Sequence, residues 1–208
     1  MVTNKEKIQN IIFDFGGVLL DWNSDYFYLD YFNGNKEKMI EFYEKTKIQT
    51  LNKEFDRGLS FDIGLKKLAE AYPEYKDAIF YWKNAWHKML KDEIPGSIDL
   101  LKNLHQNNYN LYGLTNWSAE TFPYVYYKYE FFHLFKDIMV SGRECLIKPE
   151  AEIYQLCLER NKLNAKECIF IDDTKENVEK AKSLGISSIH FKDANNLREA
   201  LAQFGVEV

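Results

Sequence analysis

Ile11-Ile12-Phe13-Asp14-Phe15-Gly16-Gly17-Val18-Leu19 is the stretch whose reading decides the fold. Three apolar residues followed by an aspartate and a glycine pair describe a short buried strand that ends in a carboxylate and a sharp turn. In an open α/β sheet, ligands and reactive groups gather at the carboxyl ends of the strands. The chain repeats the arrangement at Ile169-Phe170-Ile171-Asp172-Asp173. Side by side, two such strand ends bring three carboxylates together, an oxygen donor set suited to one divalent metal ion.

Working outward, further apolar runs read as strands: Leu111–Leu114, Ile186–Phe191 and a weaker one at Asp137–Ser141. Helical patterns lie between them. Residues 95–107 open on Pro95-Gly96 and present Ile98, Leu101 and Leu104. Residues 150–160 follow Lys148-Pro149 and present Ile153, Leu156 and Cys157. Residues 175–184 present Val178 and Ala181 and stop at Gly185. Strands alternating with helices predict an α/β fold, a Rossmann-like and mostly parallel sheet with helices on both faces.

Residues 22–94 break the rhythm. No convincing strand is read there. Helical blocks are expected at Asp25–Phe32, Lys36–Thr46, Ile48–Arg57, Phe61–Ala71 and Lys76–Leu90, punctuated by Gly34, Gly58 and Pro73. The expected organisation is an α/β core of residues 1–21 and 95–208 with an all-helical cap, residues 22–94, over the end of the sheet that carries Asp14.

A length of 208 residues with 46% hydrophobic residues supports one large domain or a core with a modest insertion. The net charge of −5 argues against general nucleic-acid binding, which needs a basic surface. It does not exclude an anionic substrate in a pocket where a cation dominates. Cys145, Cys157 and Cys168 are odd in number and widely spaced, so each is expected to be a small buried apolar residue. The N-terminus has no signal-like stretch and no apolar run approaches a membrane span, so a soluble cytoplasmic protein is expected.

Four short motifs, Asp14-Phe-Gly-Gly-Val18, Leu114-Thr-Asn-Trp-Ser118, Lys148-Pro149 and Asp172-Asp-Thr-Lys-Glu-Asn177, fall in this order at strand ends or helix starts. Together they resemble those of the haloacid dehalogenase-like hydrolase superfamily. The helical insertion lies where that family's C1-type cap lies, and the motif variants look like its sugar-phosphatase-like branch. The resemblance implies a Mg²⁺-dependent phosphatase of a small phosphorylated metabolite, a sugar phosphate among the candidates. Asp14 would be the nucleophile that forms an aspartyl-phosphate. Asp14, the Gly16 carbonyl, Asp173 and Asp172 would hold Mg²⁺. Thr115 and Asn116 would bind phosphoryl oxygens. Lys148 would neutralise charge on Asp14 and the phosphoryl group. Asn177, one turn along the last helix, could brace the metal site.

One departure stands out. Many family phosphatases carry a second aspartate two residues after the nucleophile as general acid and base, and Gly16 occupies that position here. Asp21, His87, Asp56 and Arg57 are the available replacements. The alternative readings are a 2-haloacid dehalogenase, a phosphomutase or phosphotransferase, and a non-catalytic phospho-ligand binding protein. Adjacent acids at Asp172-Asp173 and the absence of Ser or Thr at Val18 speak against the dehalogenase. The aromatic stretch Phe122–Phe132 is expected to pack beneath the core. Trp22, Trp82 and Trp86 are expected to pack the cap or its hinge. None of His87, His105, His133 or His190 has metal-ligand spacing. The sequence leaves the oligomeric state open.

Overall fold

The protein is described from a computed structural model, which defines residues 7–208. Residues 1–6, assigned above to the core, lie outside the described residues. Among the described residues seven strands are formed: β1 Asn10–Phe13, β2 Leu20–Trp22, β3 Leu90–Glu93, β4 Asn110–Thr115, β5 Asp137–Val140, β6 Cys168–Asp172 and β7 Ser187–His190. Eleven α-helices accompany them: α1 Asp25–Tyr31, α2 Lys36–Thr46, α3 Ile48–Asp56, α4 Phe61–Ala71, α5 Lys76–Asn84, α6 Ser97–Gln106, α7 Phe122–Lys128, α8 Ser141–Glu144, α9 Ala151–Arg160, α10 Lys175–Ser183 and α11 Ala194–Gln203.

Five strands make one parallel sheet in the order β5-β4-β1-β6-β7. The fold class read from the sequence is therefore the fold observed. Because successive side chains on a strand point to opposite faces, β1 feeds two hydrophobic layers. Ile11 and Phe13 pack with Leu101 and Leu104 of α6, Val125 of α7 and Leu197 and Leu201 of α11. Ile12 packs with Ile153 and Cys157 of α9 and Ala181 of α10. A strand buried on both faces has to be apolar throughout, which is why Ile11-Ile12-Phe13 shows no alternation.

The predicted elements are found with their ends moved by a residue or two. Gly185 follows α10 at φ +83°, as a glycine closing a helix should. Three readings need correction. Residues 22–94 are not strand-free at their edges: β2 and β3 pair antiparallel, Leu20 opposite Glu93 and Trp22 opposite Leu90, at the two crossings into the helical block. The expected helix over Lys76–Leu90 consequently ends at Asn84, and a single 3₁₀ turn at Trp86–Lys88 leads into β3. Cys145 is exposed rather than buried, because it sits at φ +57° where α8 ends and the chain turns out to solvent.

The helices between β2 and β3 have a core of their own. Tyr28 lies at its centre, packed on Phe42, Tyr43 and Trp82, with its hydroxyl donating to the Ala78 carbonyl at 2.8 Å. The aromatic stretch after β4 packs into the sheet layer as expected, Phe15 stacking on Phe122 and meeting Phe132 edge-on.

Candidate active site

Register places the motifs together. Phe13 of β1 pairs with Gly113 of β4 on one side and Ile171 of β6 on the other. One residue further on, Asp14 therefore leaves the sheet beside the end of β4, which carries Thr115 and Asn116, and the end of β6, which carries Asp172 and Asp173. The Asp14 N–H still donates to the Ile171 carbonyl at 2.9 Å, so the carboxylate starts from a fixed backbone.

Lys148 joins these strand ends from below. Its ammonium donates to the Leu114 carbonyl at 2.8 Å and to Asp172 Oδ2 at 2.7 Å, and lies 3.0 Å from Asp14 Oδ1. All three ammonium protons are thus directed. Burial by itself pushes the lysine pKa down, but the carboxylates of Asp14 and Asp172 overturn that and hold it above the ordinary lysine value. Lys148 is a permanent buried cation at this site.

Asp14 Oδ1 accepts from Lys148 and from the Phe15 N–H at 2.7 Å, which leaves Oδ2 for the cavity. Burial pushes the Asp14 carboxyl up to about 7; Lys148 works against this, and the charges of Asp172 and Asp173 add to it. Burial and Asp172 raise Asp173 as well. A carboxylate oxygen from each of Asp14, Asp172 and Asp173 can be chosen with all three within 4.8 Å of one another. Three acids beside one lysine leave unbalanced negative charge, and the donors are all hard oxygens. This set fits Mg²⁺.

The three acids are not equivalent. Asp172 is fully buried and its oxygens are already engaged by Lys148, by the Thr174 N–H at 2.8 Å and by the Asn177 amide at 3.0 and 3.1 Å. Asn177 is thus a buried brace rather than an exposed helix residue. Asp173 faces the cavity together with Asp14 and the glycine pair. Gly17 sits at φ +74°, and a Cβ there would collide with the Asp173 carboxylate; at Gly16 a Cβ would meet nothing nearer than a Trp117 ring carbon at 3.9 Å. The Asp173 carbonyl is held by the His190 ring at 2.8 Å, so that histidine serves the loop through its backbone.

Thr115 is fully buried, and its hydroxyl has no hydrogen-bond partner among the described residues. The Asn116 side chain is turned onto Lys148: Nδ2 donates to the Lys148 carbonyl and Oδ1 accepts the Lys148 N–H. Asn116 still lines the cavity.

The cavity above these strand ends has a volume of about 270 Å³. Asp14, Gly16, Gly17 and Asp173 form its floor. Trp22, Trp86 and Trp117 give it aromatic walls, and α3 and the start of α4 contribute Asn52, Asp56 and Phe61. The helical block is tied down beside it. Arg57 makes a two-pronged ion pair with Glu150 at 2.6 and 2.8 Å, the Phe61 N–H donates to Glu120 at 2.8 Å, and Ser141 Oγ donates to the Asp56 carbonyl at 2.5 Å. Asp21, His87 and Arg57 are not on the cavity wall; Asp56 is.

Residues 11–191 match the family model for haloacid dehalogenase-like hydrolases. The chain belongs to the haloacid dehalogenase-like hydrolase family. Among curated relatives of this HAD-type chain is a phosphorylated carbohydrates phosphatase of Thermotoga maritima, 29% identical over 191 residues that make up 88% of this chain and 84% of that one. A sesquiterpene phosphatase of Aspergillus oryzae is 33% identical over 95 residues, 46% of this chain and 48% of that protein. A drimenol cyclase of Aspergillus calidoustus is 25% identical over 93% of this chain but only 36% of its own length, so the chain spans about a third to a half of these two fungal relatives. A HAD family enzyme of Bacteroides thetaiotaomicron, solved in complex with magnesium and inorganic phosphate, superposes with a TM-score of 0.65 at 25% identity, covering 89% of this chain and 95% of that one. Among the described residues of this HAD hydrolase, no helix is long and apolar enough to cross a membrane.

Reading the sequence missed the contribution of Asn52, Phe61 and Thr121 to the cavity. None of these carries a local signal. They reach the site only because α3, α4 and the start of α7 pack over the sheet end.

Proposed function

We propose that the protein is a Mg²⁺-dependent phosphatase of a small phosphorylated metabolite, acting through an aspartyl-phosphate on Asp14. The observation that carries this reading is the meeting of Asp14, Lys148 and Asp173 at adjoining strand ends, with Asp14 and Asp173 lining the cavity. Bound by Asp14, Asp173 and the Gly16 carbonyl, with Asp172 bracing from behind, Mg²⁺ would screen the repulsion between carboxylate and phosphate. Asp14 attacks phosphorus and needs no base to do so once it is ionised. Lys148, fixed by Asp172 and Leu114, faces the charge that develops between Asp14 and the phosphoryl oxygens. The Thr115 hydroxyl lacks an acceptor, and a phosphoryl oxygen at this strand end supplies one. Asn116 acts chiefly by holding Lys148.

The helical block, residues 22–94, acts as the cap that limits substrate size. A cavity of this volume supports a compact substrate. Its aromatic walls suit the apolar face of a sugar ring as well as a short hydrocarbon, and the carbohydrate phosphatase relative supports the former.

The test is phosphate release from p-nitrophenyl phosphate and from a panel of sugar phosphates, with Mg²⁺ and with EDTA. The reading requires release that depends on Mg²⁺ and vanishes in Asp14→Asn. Folded protein that releases no phosphate from any of them would reject it.

A further inference from the structure

The phosphatase reading leaves one chemical task unassigned. A leaving alkoxide needs a proton, and the water that attacks the aspartyl-phosphate must lose one. Gly16, with no side chain, can do neither. We propose that Asp56, on the last turn of α3, is the acid–base residue of this site. It rests on the phosphatase reading above and supplies that reaction with the catalytic group its core lacks.

Several independent features single out Asp56. It lines the same cavity as the glycine pair, whereas Asp21, His87 and Arg57 do not. Asp21 is engaged by the Tyr26 hydroxyl at 2.8 Å and Arg57 by Glu150. The Asp56 carboxylate is also aimed. Trp82, fully buried, donates its indole N–H to Asn52 Oδ1 at 2.9 Å, which fixes the amide so that Asn52 Nδ2 must face Asp56 Oδ2, 3.0 Å away. The Ser118 N–H, in the loop after β4, favours the charged form of the same carboxylate. Its main chain is pinned from the other side, since Ser141 Oγ donates to the Asp56 carbonyl and accepts the Trp117 N–H at 2.8 Å. A cap residue is thereby held to the core by its backbone and oriented by its side chain.

The charged groups around it are Lys148, whose field reaches Asp56, the neighbouring Arg57–Glu150 pair, and Asp14 and Asp173 on the cavity floor. Burial pushes the Asp56 carboxyl up to about 7, with the Ser118 N–H and Lys148 restraining the rise. An acid near neutrality can both give and take a proton under ordinary conditions.

The step balances as follows. As Asp14 Oδ2 bonds to phosphorus, the bond from phosphorus to the leaving oxygen breaks, and that oxygen takes the electron pair and the proton of the Asp56 carboxylic acid. Water then attacks phosphorus and gives a proton to the Asp56 carboxylate. The bond from phosphorus to Asp14 breaks, which restores both aspartates and releases phosphate.

The experiment uses the Mg²⁺-loaded full chain and two probes, a hexose 6-phosphate with a poor leaving group and p-nitrophenyl phosphate with a good one. In Asp56→Asn, hexose phosphate turnover should fall by about 10²–10⁴. With p-nitrophenyl phosphate the same variant should give a burst of one nitrophenolate per chain, then slow turnover, because only the second step still needs the base. Gly16→Asp has room for its Cβ, and combined with Asp56→Asn it should recover hexose phosphate turnover. Folded Asp56→Asn that cleaves both probes at the wild-type rate, or loses both equally without a burst, overturns the proposal. Should Asp56→Asn not fold, wild-type rates across aryl and alkyl phosphates decide: weak dependence on leaving-group basicity sustains the proposal, and steep dependence overturns it. Wild type inactive on both probes removes the phosphatase reading itself.

Discussion

Asn116 and Lys148 hold each other by a reciprocal pair of hydrogen bonds, the asparagine amide donating to the Lys148 carbonyl at 3.0 Å and accepting the Lys148 N–H at 2.9 Å. The end of β4 thus fixes the backbone from which the buried Lys148 cation projects. Asn116→Ala should keep the fold and lower kcat by about 10²-fold, the scale of a misplacement near 1 Å. Steady-state kinetics beside a melting curve checks this; unchanged kcat in the variant would remove Asn116 from the positioning of Lys148.

Lys148→Met leaves Asp14 and Asp172 buried without their counter-charge. Removing one partner of such a pair costs about 3–5 kcal/mol. The lost cation removes what holds the Asp14 pKa down, so the penalty from Asp14 exists only where it would be ionised, above the ordinary aspartate range. The variant's deficit in Tm should therefore shrink as pH falls from 8 toward 4. A deficit that is constant across that range contradicts the charge argument.

Without metal, Asp14 and Asp56 each titrate near 7 in the fold against about 4 in the unfolded chain. Acids raised in this way destabilise the fold progressively as pH rises from about 4 to about 7. The Tm of the metal-free protein should fall over that window and recover on adding Mg²⁺, which competes with the protons on Asp14 and Asp173. Metal-free Asp14→Asn should melt higher than wild type at pH 8. Differential scanning calorimetry with EDTA and with Mg²⁺ reads all three effects; an Asp14→Asn variant that melts lower would refute the assignment of strain to this acid.

The adjoining glycines should respond unequally. At Gly17 the chain is at φ +74° and a methyl group would meet the Asp173 carboxylate, whereas Gly16 has space. Gly17→Ala should weaken Mg²⁺ binding and activity, while Gly16→Ala should leave Mg²⁺ binding near wild type. Titration calorimetry with Mg²⁺ separates them, and equal affinities would show that Gly17 does not clear space for Asp173.

Much of this was legible in the sequence because it rests on short-range pattern. The uninterrupted apolar runs before Asp14 and Asp172 are what a doubly covered parallel strand requires, and they located β1 and β6 within a residue. Lys148 was legible only from its motif, since nothing local distinguishes a buried lysine from a surface one. The pair β2 and β3 was missed because Leu20-Asp21-Trp22 and Leu90-Lys91-Asp92-Glu93 are too short to show a period. Helix α11 went unread because its face rests on two residues, Leu197 and Leu201, behind an Asn-Asn start with poor helix propensity. Asp56 could be named only as one of four available groups, beside Asp21, His87 and Arg57, because its place depends on how α3 packs on the sheet end and on the chain from Trp82 through Asn52.

The most direct measurement is a rapid acid quench of the Mg²⁺-loaded enzyme during turnover, followed by mass spectrometry of its peptides. The account predicts a phosphoryl group on Asp14, removable by hydroxylamine and absent from Asp14→Asn. Steady phosphate release with no phosphoryl label on Asp14, or with the label on another residue, would contradict it.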